Sequence, residues 1–223
     1  MATPSPWFFK NIQDSCCSSD CQANNNNCGC QVKGNYKGPG LWLTRWQQII
    51  SLSPPLVEIV TWNDWVESSY VAPPFSVAAS DVATFTHRAF LDLGEHYIRW
   101  YKTGSEPAVT EDSLYLFYYT HSKNATAAED TCKVENSDVL SDEVYVTAVL
   151  TQPASVVLTS GSASQTFSAP AGINTFNMSF SEGQQSASLN RGGTVVKSVS
   201  GGISITNSGI SRYNFNVYSN SSA

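Results

Sequence analysis

Two carboxylates, Asp64 and Glu67, stand among Trp62, Trp65 and Tyr70 in the stretch Val57-Glu58-Ile59-Val60-Thr61-Trp62-Asn63-Asp64-Trp65-Val66-Glu67-Ser68-Ser69-Tyr70. Acids beside aromatic faces suit the cleavage of a sugar linkage. One carboxyl can protonate the leaving oxygen, the other can activate water or attack, and flat rings can stack on pyranose faces. The alternative is a strand end whose acids do no more than cap the turn that follows. Position alone leaves both readings open.

The elements that must hold these residues can be read on either side of them. The run at 56–61 is rich in β-branched residues and follows Pro54-Pro55, so it reads as a buried strand. Acids at the C-terminal end of a buried parallel strand are where α/β barrels place their chemistry. Residues 41–52 predict a helix, with Trp42, Trp46, Ile49 and Ile50 on one face. Residues 81–102 predict a longer one. Phe85, Ala89, Leu93, Tyr97 and Trp100 form its apolar face, Ser80 or Asp81 caps its start, and Gly104 ends it. Helix, strand and helix in this order suggest part of a βα-repeat fold with parallel strands.

The character changes near Glu106-Pro107. Short alternating runs follow at Leu114 to Tyr119, Val144 to Leu150, Val156 to Leu158, Ile173 to Phe180, Val195 to Val199 and Tyr213 to Tyr218. Turn residues separate them, including Ser160-Gly161, Pro170-Ala171-Gly172 and a hairpin turn at Asn190-Arg191-Gly192-Gly193. This rhythm predicts an antiparallel β-sandwich over 111–223 that folds independently. Tyr213, Phe215 and Tyr218 read as its core, with a sugar-binding face as the alternative.

Composition narrows the function classes. The 223-residue chain is 41% hydrophobic but only 13% charged, which suits a packed protein with a neutral, hydroxyl- and amide-rich surface and argues against disorder. A net charge of -6 speaks against nucleic acid and anionic membranes as partners. Nothing approaches the ~20 consecutive apolar residues of a membrane span. Five of six cysteines, Cys16, Cys17, Cys21, Cys28 and Cys30, crowd into one loop, with Cys132 far away. The loop has no His and no C-x-x-C pair, so it reads as disulfide-stapled rather than zinc-binding, and no metal site is expected. Six cysteines allow 15 connectivities, with Cys132 joining the set or remaining free. Sequons at Asn124, Asn177 and Asn220 point with the cysteines to an oxidising, secretory setting. The start, Met1-Ala2-Thr3-Pro4-Ser5-Pro6, has no apolar signal-peptide core, which suggests a chain cut from something longer. There is no Gly-rich phosphate loop and no Ser-His-Asp ordering, so no cofactor is expected. His87 and His96 lie on or beside a helix as surface or interhelix residues, and His121 stands alone.

The blocks together resemble a known family. They are Ser5-Pro6-Trp7-Phe8-Phe9; Trp42-Leu43 with Arg45-Trp46-Gln47-Gln48; Val57 to Asp64 with Glu67-Ser68; Tyr97-Ile98 with Trp100-Tyr101-Lys102-Thr103-Gly104; Leu116-Phe117-Tyr118-Tyr119 with His121; and Tyr213-Asn214-Phe215-Asn216. This pattern is similar to the fungal α-1,3-glucanases, or mutanases, of glycoside hydrolase family 71. The resemblance implies a (β/α)8 TIM barrel followed by a β-sandwich, and endo-hydrolysis of α-1,3-glucan with inversion. It implies that Asp64 and Glu67 are the catalytic acids, with Trp7, Trp62, Asn63 and Tyr70 against substrate. It further implies a monomer that acts on polysaccharide and is secreted, extracellular or in the cell wall, its signal peptide lying in a preceding part.

The departures from the family are specific. Trp65-Val66 stands where the family has Tyr-Gly, and a positive φ at that Gly would strain a β-branched Val66. Ser69 stands where His is common, Lys10-Asn11 replaces Thr-His, and residues 11–40 hold a Cys-rich insertion. A complete barrel takes ~250 residues, whereas only 1–105 precede the sandwich here. The expected fold is therefore α/β plus all-β: a C-terminal barrel fragment with the last two strands and their helices, then the sandwich. Such a fragment is expected to hydrolyse glucan poorly by itself. The competing readings are a non-catalytic glucan-binding or cell-wall module, and a degenerate product without function.

Overall fold

The computed structural model describes residues 1–10, 31–32, 39–73, 80–130 and 134–222. All six cysteines lie outside the described residues, and with them the expected disulfides. The short strands β1 (Phe9–Lys10) and β2 (Gln31–Val32) pair antiparallel. Three helices follow: α1 (Gly40–Leu52), α2 (Ser80–Ala83) and α3 (Arg88–Thr103). Then come β3 (Ser113–Tyr118), β4 (Glu143–Leu150), β5 (Ala154–Ser160), β6 (Ala163–Ala169), β7 (Gly172–Ser179), β8 (Gln185–Arg191), β9 (Thr194–Ser200) and β10 (Tyr218–Ser221).

The last eight strands make two antiparallel four-stranded sheets, in the orders β10-β3-β4-β7 and β6-β5-β8-β9. Side-chain alternation brings them face to face. Leu114, Leu116, Val144, Val146, Ala148 and Leu150 from the first sheet meet Val156, Leu158, Ala187, Leu189 and Val199 from the second in one core. The opposite face of the first sheet is also covered. Tyr115, Phe117 and Tyr145 pack with Trp42, Trp46, Ile49, Phe90, Leu93 and Tyr97 of the helices. Every residue of β3 is consequently buried. The molecule is three layers deep: helices, a middle sheet and an outer sheet.

Two-sided burial bears on the expected independence of the 111–223 piece. Made alone, it would expose Tyr115, Phe117, Tyr119, Tyr145 and Phe215, all buried in the whole chain. A contiguous apolar face of that kind drives association. The isolated piece is expected to bind a hydrophobic dye and to self-associate in sedimentation, whereas a monodisperse, dye-silent fragment would show that the middle sheet tolerates an open face.

The predicted helix over 81–102 is broken. Thr84 to His87 interrupt it, two of them β-branched threonines of low helix propensity. The break has a packing cause. Ala89, Leu93 and Tyr97 face the helical core, but Phe85 turns the other way, into the sandwich core, where its ring meets Tyr218 at 6.5 Å. One continuous helix could not serve both. Gly104 ends α3 as its spacing predicts, with φ +72 and its N–H donating to Trp100 O at 2.8 Å.

Gly201 marks the tightest approach in the sandwich. A Cβ there would lie 2.0 Å from the Tyr118 hydroxyl, which itself donates to Ile203 O at 2.6 Å. Gly201→Ala must displace that buried ring. It is expected to lower stability by about 1–3 kcal/mol, the usual cost of overpacking, measured as a shift in the urea midpoint. An unchanged midpoint would mean that Tyr118 moves freely.

Candidate functional site

The segment leading to the acids is extended but is not the buried strand its sequence suggests. It pairs in parallel with the N-terminus: Ala2 N–H donates to Leu56 O (3.0 Å), Glu58 N–H to Ala2 O (3.1 Å) and Val60 N–H to Pro4 O (3.1 Å). Its other edge has no strand beside it among the described residues, so Leu56 is 57% exposed and Val57 and Ile59 only half-buried. A hydrophobic, β-branched run signals a preference for burial on both faces, which this edge position does not supply.

At Thr61 the chain enters a closed turn. Thr61 N–H donates to Ser69 O (2.7 Å), Val71 N–H to Thr61 O (3.1 Å) and Ala72 N–H to Trp62 O (2.9 Å), which joins the two ends of the turn. Inside it, Thr61 Oγ1 accepts from Asp64 N–H at 2.9 Å, Asp64 Oδ1 accepts from Glu67 N–H at 3.3 Å, and Ser68 N–H donates to Trp65 O at 3.1 Å. Asp64 therefore stabilises the turn that carries Glu67. Glu67 in turn meets Lys10: its carboxylate lies 3.5 Å from Nζ, and its backbone O accepts from Phe9 N–H at 3.0 Å. With side chains 30% and 36% exposed, this ion pair is screened and contributes ~1 kcal/mol or less. The residue in the left-handed region is Ser68 (φ +55), and Val66 is not among the described positive-φ residues. Val66 therefore carries no such strain.

The aromatic and polar residues near the acids separate into two groups. Trp62 is 56% exposed and Asn63 is exposed, both on the turn itself. Trp7 and Tyr70 are in the core and offer no ring face to a ligand. The Trp7 indole N–H donates to Phe215 O at 2.9 Å, and the Tyr70 hydroxyl donates to Phe85 O at 2.5 Å. Tyr70 stands beside the acids in sequence and Trp7 enters through the family resemblance, but both side chains serve the junction between turn and middle sheet. Of the sequons, Asn124 and Asn177 are exposed, Asn177 donating to Glu143 at 2.7 Å, and Asn220 on β10 donates to Ser200 O at 2.9 Å. Among the described residues no group of three or more His, Cys, Asp or Glu side chains gathers as a metal would need.

Of the surface and interhelix readings of His87, burial excludes the first: it is fully buried, just before α3. Its ring lies flat on Tyr70, 4.0 Å between centroids and 6° between planes. Nδ1 stands 2.6 Å from Tyr70 O and Nε2 2.8 Å from Asn216 Oδ1, while Asn216 Nδ2 donates to the Tyr70 hydroxyl at 3.0 Å. Burial lowers its pKa from 6.5 to about 4, against the opposing effect of these hydrogen bonds. The missed signal is in Tyr213-Asn214-Phe215-Asn216. Asparagines alternating with buried aromatics need internal polar partners, and a histidine elsewhere is a natural one.

The turn thus carries two partly exposed carboxylates, Asp64 and Glu67, and the exposed indole of Trp62. The chain belongs to glycosyl hydrolase family 71, whose family model matches residues 1–223. It is 36% identical to a mutanase of Penicillium rubens over 183 residues, covering 78% of this chain and 41% of that protein. It is 36% identical to a glucan endo-1,3-alpha-glucosidase of Schizosaccharomyces pombe over 227 aligned positions, covering 98% of this chain and 49% of that protein. An ascus wall endo-1,3-alpha-glucanase of the same yeast is 32% identical over 207 positions, covering 82% and 47%. The chain thus spans just under half the length of these relatives. No solved structure gives a significant match.

Proposed function

We propose that this chain is the C-terminal part of an endo-hydrolase of α-1,3-glucan that inverts the anomeric centre, with Asp64 and Glu67 as its acid and base. The observation that carries the reading is the family match over the whole chain, joined to two partly exposed acids on one hydrogen-bonded turn. Inversion needs carboxyls about 6.5–9.5 Å apart with a water between them, and residues i and i+3 on a turn meet that when their side chains diverge. Trp62 and Asn63, exposed on the same turn, are the nearest candidates for contacts to sugar.

In this reading residues 1–105 supply the last barrel strands and helices, with the Cys-rich insertion at 11–40, and 111–223 the sandwich. The parallel pairing of 2–4 with 56–60, whose outer edge carries no strand among the described residues, supports a barrel fragment. The protein acts as a secreted or cell-wall monomer on polysaccharide, glycosylated at exposed sequons. Among the described residues no helix is long and apolar enough to cross a membrane.

A second reading has its own support. Asp64 already caps the Glu67 N–H and Glu67 already pairs with Lys10, as acids in a purely structural turn would. In that case the chain is a glucan-binding or wall module. A pull-down on insoluble α-1,3-glucan paired with a reducing-sugar assay separates the two. Release of reducing ends supports the hydrolase, and binding without release by every length of the protein supports the module.

A further inference from the structure

The base of the acidic turn is fixed by a buried polar cluster drawn from three distant parts of the chain. Tyr70, at the turn's exit, has a neighbour on each side that pairs with Thr61: Ser69 O accepts the Thr61 N–H, and Val71 N–H donates to Thr61 O. Tyr70 is held through both of its polar groups. Its carbonyl meets His87 Nδ1 at 2.6 Å, and its hydroxyl donates to Phe85 O and accepts from Asn216 Nδ2. His87 closes the ring by meeting Asn216 Oδ1 at 2.8 Å. Asn216 is tied further back, its N–H donating to Asn214 Oδ1 at 3.0 Å, while Asn214 N–H donates to His121 Nε2 at 2.9 Å. Tyr70, His87 and Asn216 are each 1% exposed or less.

We propose that Tyr70, His87 and Asn216 are positioning residues: they form a brace that fixes the turn bearing Asp64 and Glu67 to the segment entering the last strand of the sandwich. The proposal rests on the reading of those two acids as the reacting pair. Its physical basis is direction. Apolar residues of equal size would fill the same space but would let the turn slide, whereas hydrogen bonds to one carbonyl and one hydroxyl fix both place and orientation. Buried polar groups cost free energy when they lose their partners, so these contacts favour the arrangement in which the 61–72 turn, the α2–α3 junction and the 214–216 segment are in register. The sandwich is then a brace for the acidic turn as well as a second layer, and small misplacements of reacting groups are costly in rate.

The test is amide hydrogen exchange on the 223-residue chain, comparing wild type with Asn216→Leu and with Tyr70→Phe under conditions where circular dichroism shows each folded. The N–H groups of Asp64, Glu67 and Val71, all hydrogen-bonded in the turn, are expected to exchange at least about tenfold faster in the variants, with β5 and β8 unchanged. Turn amides that keep wild-type rates, or losses spread equally over the outer sheet, would overturn the brace. Should Asn216→Leu fail to fold, Tyr70→Phe, which loses one hydroxyl, decides by the same criterion. In an active longer form, Asn216→Leu should lower kcat with KM within about twofold. A rise in KM alone counts against positioning of the reacting groups. Absence of turnover in the wild type of that longer form sinks the hydrolase reading, while the exchange result still decides the brace.

Discussion

Asp64→Asn and Glu67→Gln are each expected to reduce α-1,3-glucan hydrolysis by about 10²–10⁴-fold, the usual contribution of a positioned acid or base. The place to measure this is a form lengthened by upstream βα units, since the chain spans 41–49% of its curated relatives. The 223-residue chain alone is expected to turn over poorly. Transition-state contacts must be held by a rigid surround, and among the described residues the segment leading to the acids has no strand on its outer edge, with Leu56 and Trp62 both more than half exposed. The two variants also divide the roles. A substrate whose leaving group needs no protonation should remain cleavable when the acid is lost, but not when the base is lost. Glu67, paired with Lys10, is expected to be the base. Measurable turnover by the short chain, lost on either substitution, would show that the chemistry needs far less of a barrel than proposed. Undiminished activity in both variants would remove the pair from the mechanism.

The sequence made some elements plain for physical reasons. In α1, Trp42, Trp46 and Ile49 repeat at helical spacing with mostly polar residues between them, and all three are buried. In β3 and β4, alternating large residues on both faces specify strands strongly, and both form as read. The glycine pair of the β8–β9 turn sits at positive φ, as its hairpin chemistry predicts. β6 and β8 escaped because Ala-Ser-Gln-Thr-Phe-Ser-Ala and Gln-Ser-Ala-Ser-Leu-Asn-Arg carry few apolar residues, leaving no period to detect. They form because neighbouring strands supply the pairing.

At the site the local pattern showed the turn and the acids but not what anchors them. The stretch from Thr61 to Ser69 carries its own signals, since Thr and Asp side chains compete for nearby N–H groups, and Thr61 and Asp64 do so here. His87 and Asn216 are 129 positions apart, and no local period links them. Tyr70 is hard to place for a related reason. A large aromatic ring beside acids looks the same in sequence whether it faces a ligand or the core, and here Tyr70 is buried.

Acid is expected to destabilise this fold from about pH 6.5 downward, and His87 is the main cause. Burial holds the folded pKa near 4 against 6.5 for an exposed imidazole. The unfolded chain therefore binds a proton below about pH 6.5 that the folded chain refuses until about pH 4. Stability is complete above that window, falls as pH drops through it, and is down by roughly 3 kcal/mol at its lower end, taking 1.36 kcal/mol per pKa unit. His121, also buried, and half-buried His96 are lowered for the same first reason and add to the slope. The Asp112 carboxyl works in a different range. Its hydrogen bond to Arg191 holds it far below the usual carboxylate value, so its contribution is lost only at lower pH. Urea midpoints measured from pH 7 to pH 4.5 should fall steeply for the wild type. His87→Gln, which keeps a polar side chain but cannot take up a proton, should start from lower stability and show a flatter profile over the same range. Parallel profiles for the two would mean that His87 is charged in the folded chain, Nδ1–H donating to the Tyr70 carbonyl and Nε2–H to Asn216 Oδ1, with hydrogen bonding outweighing the loss of water.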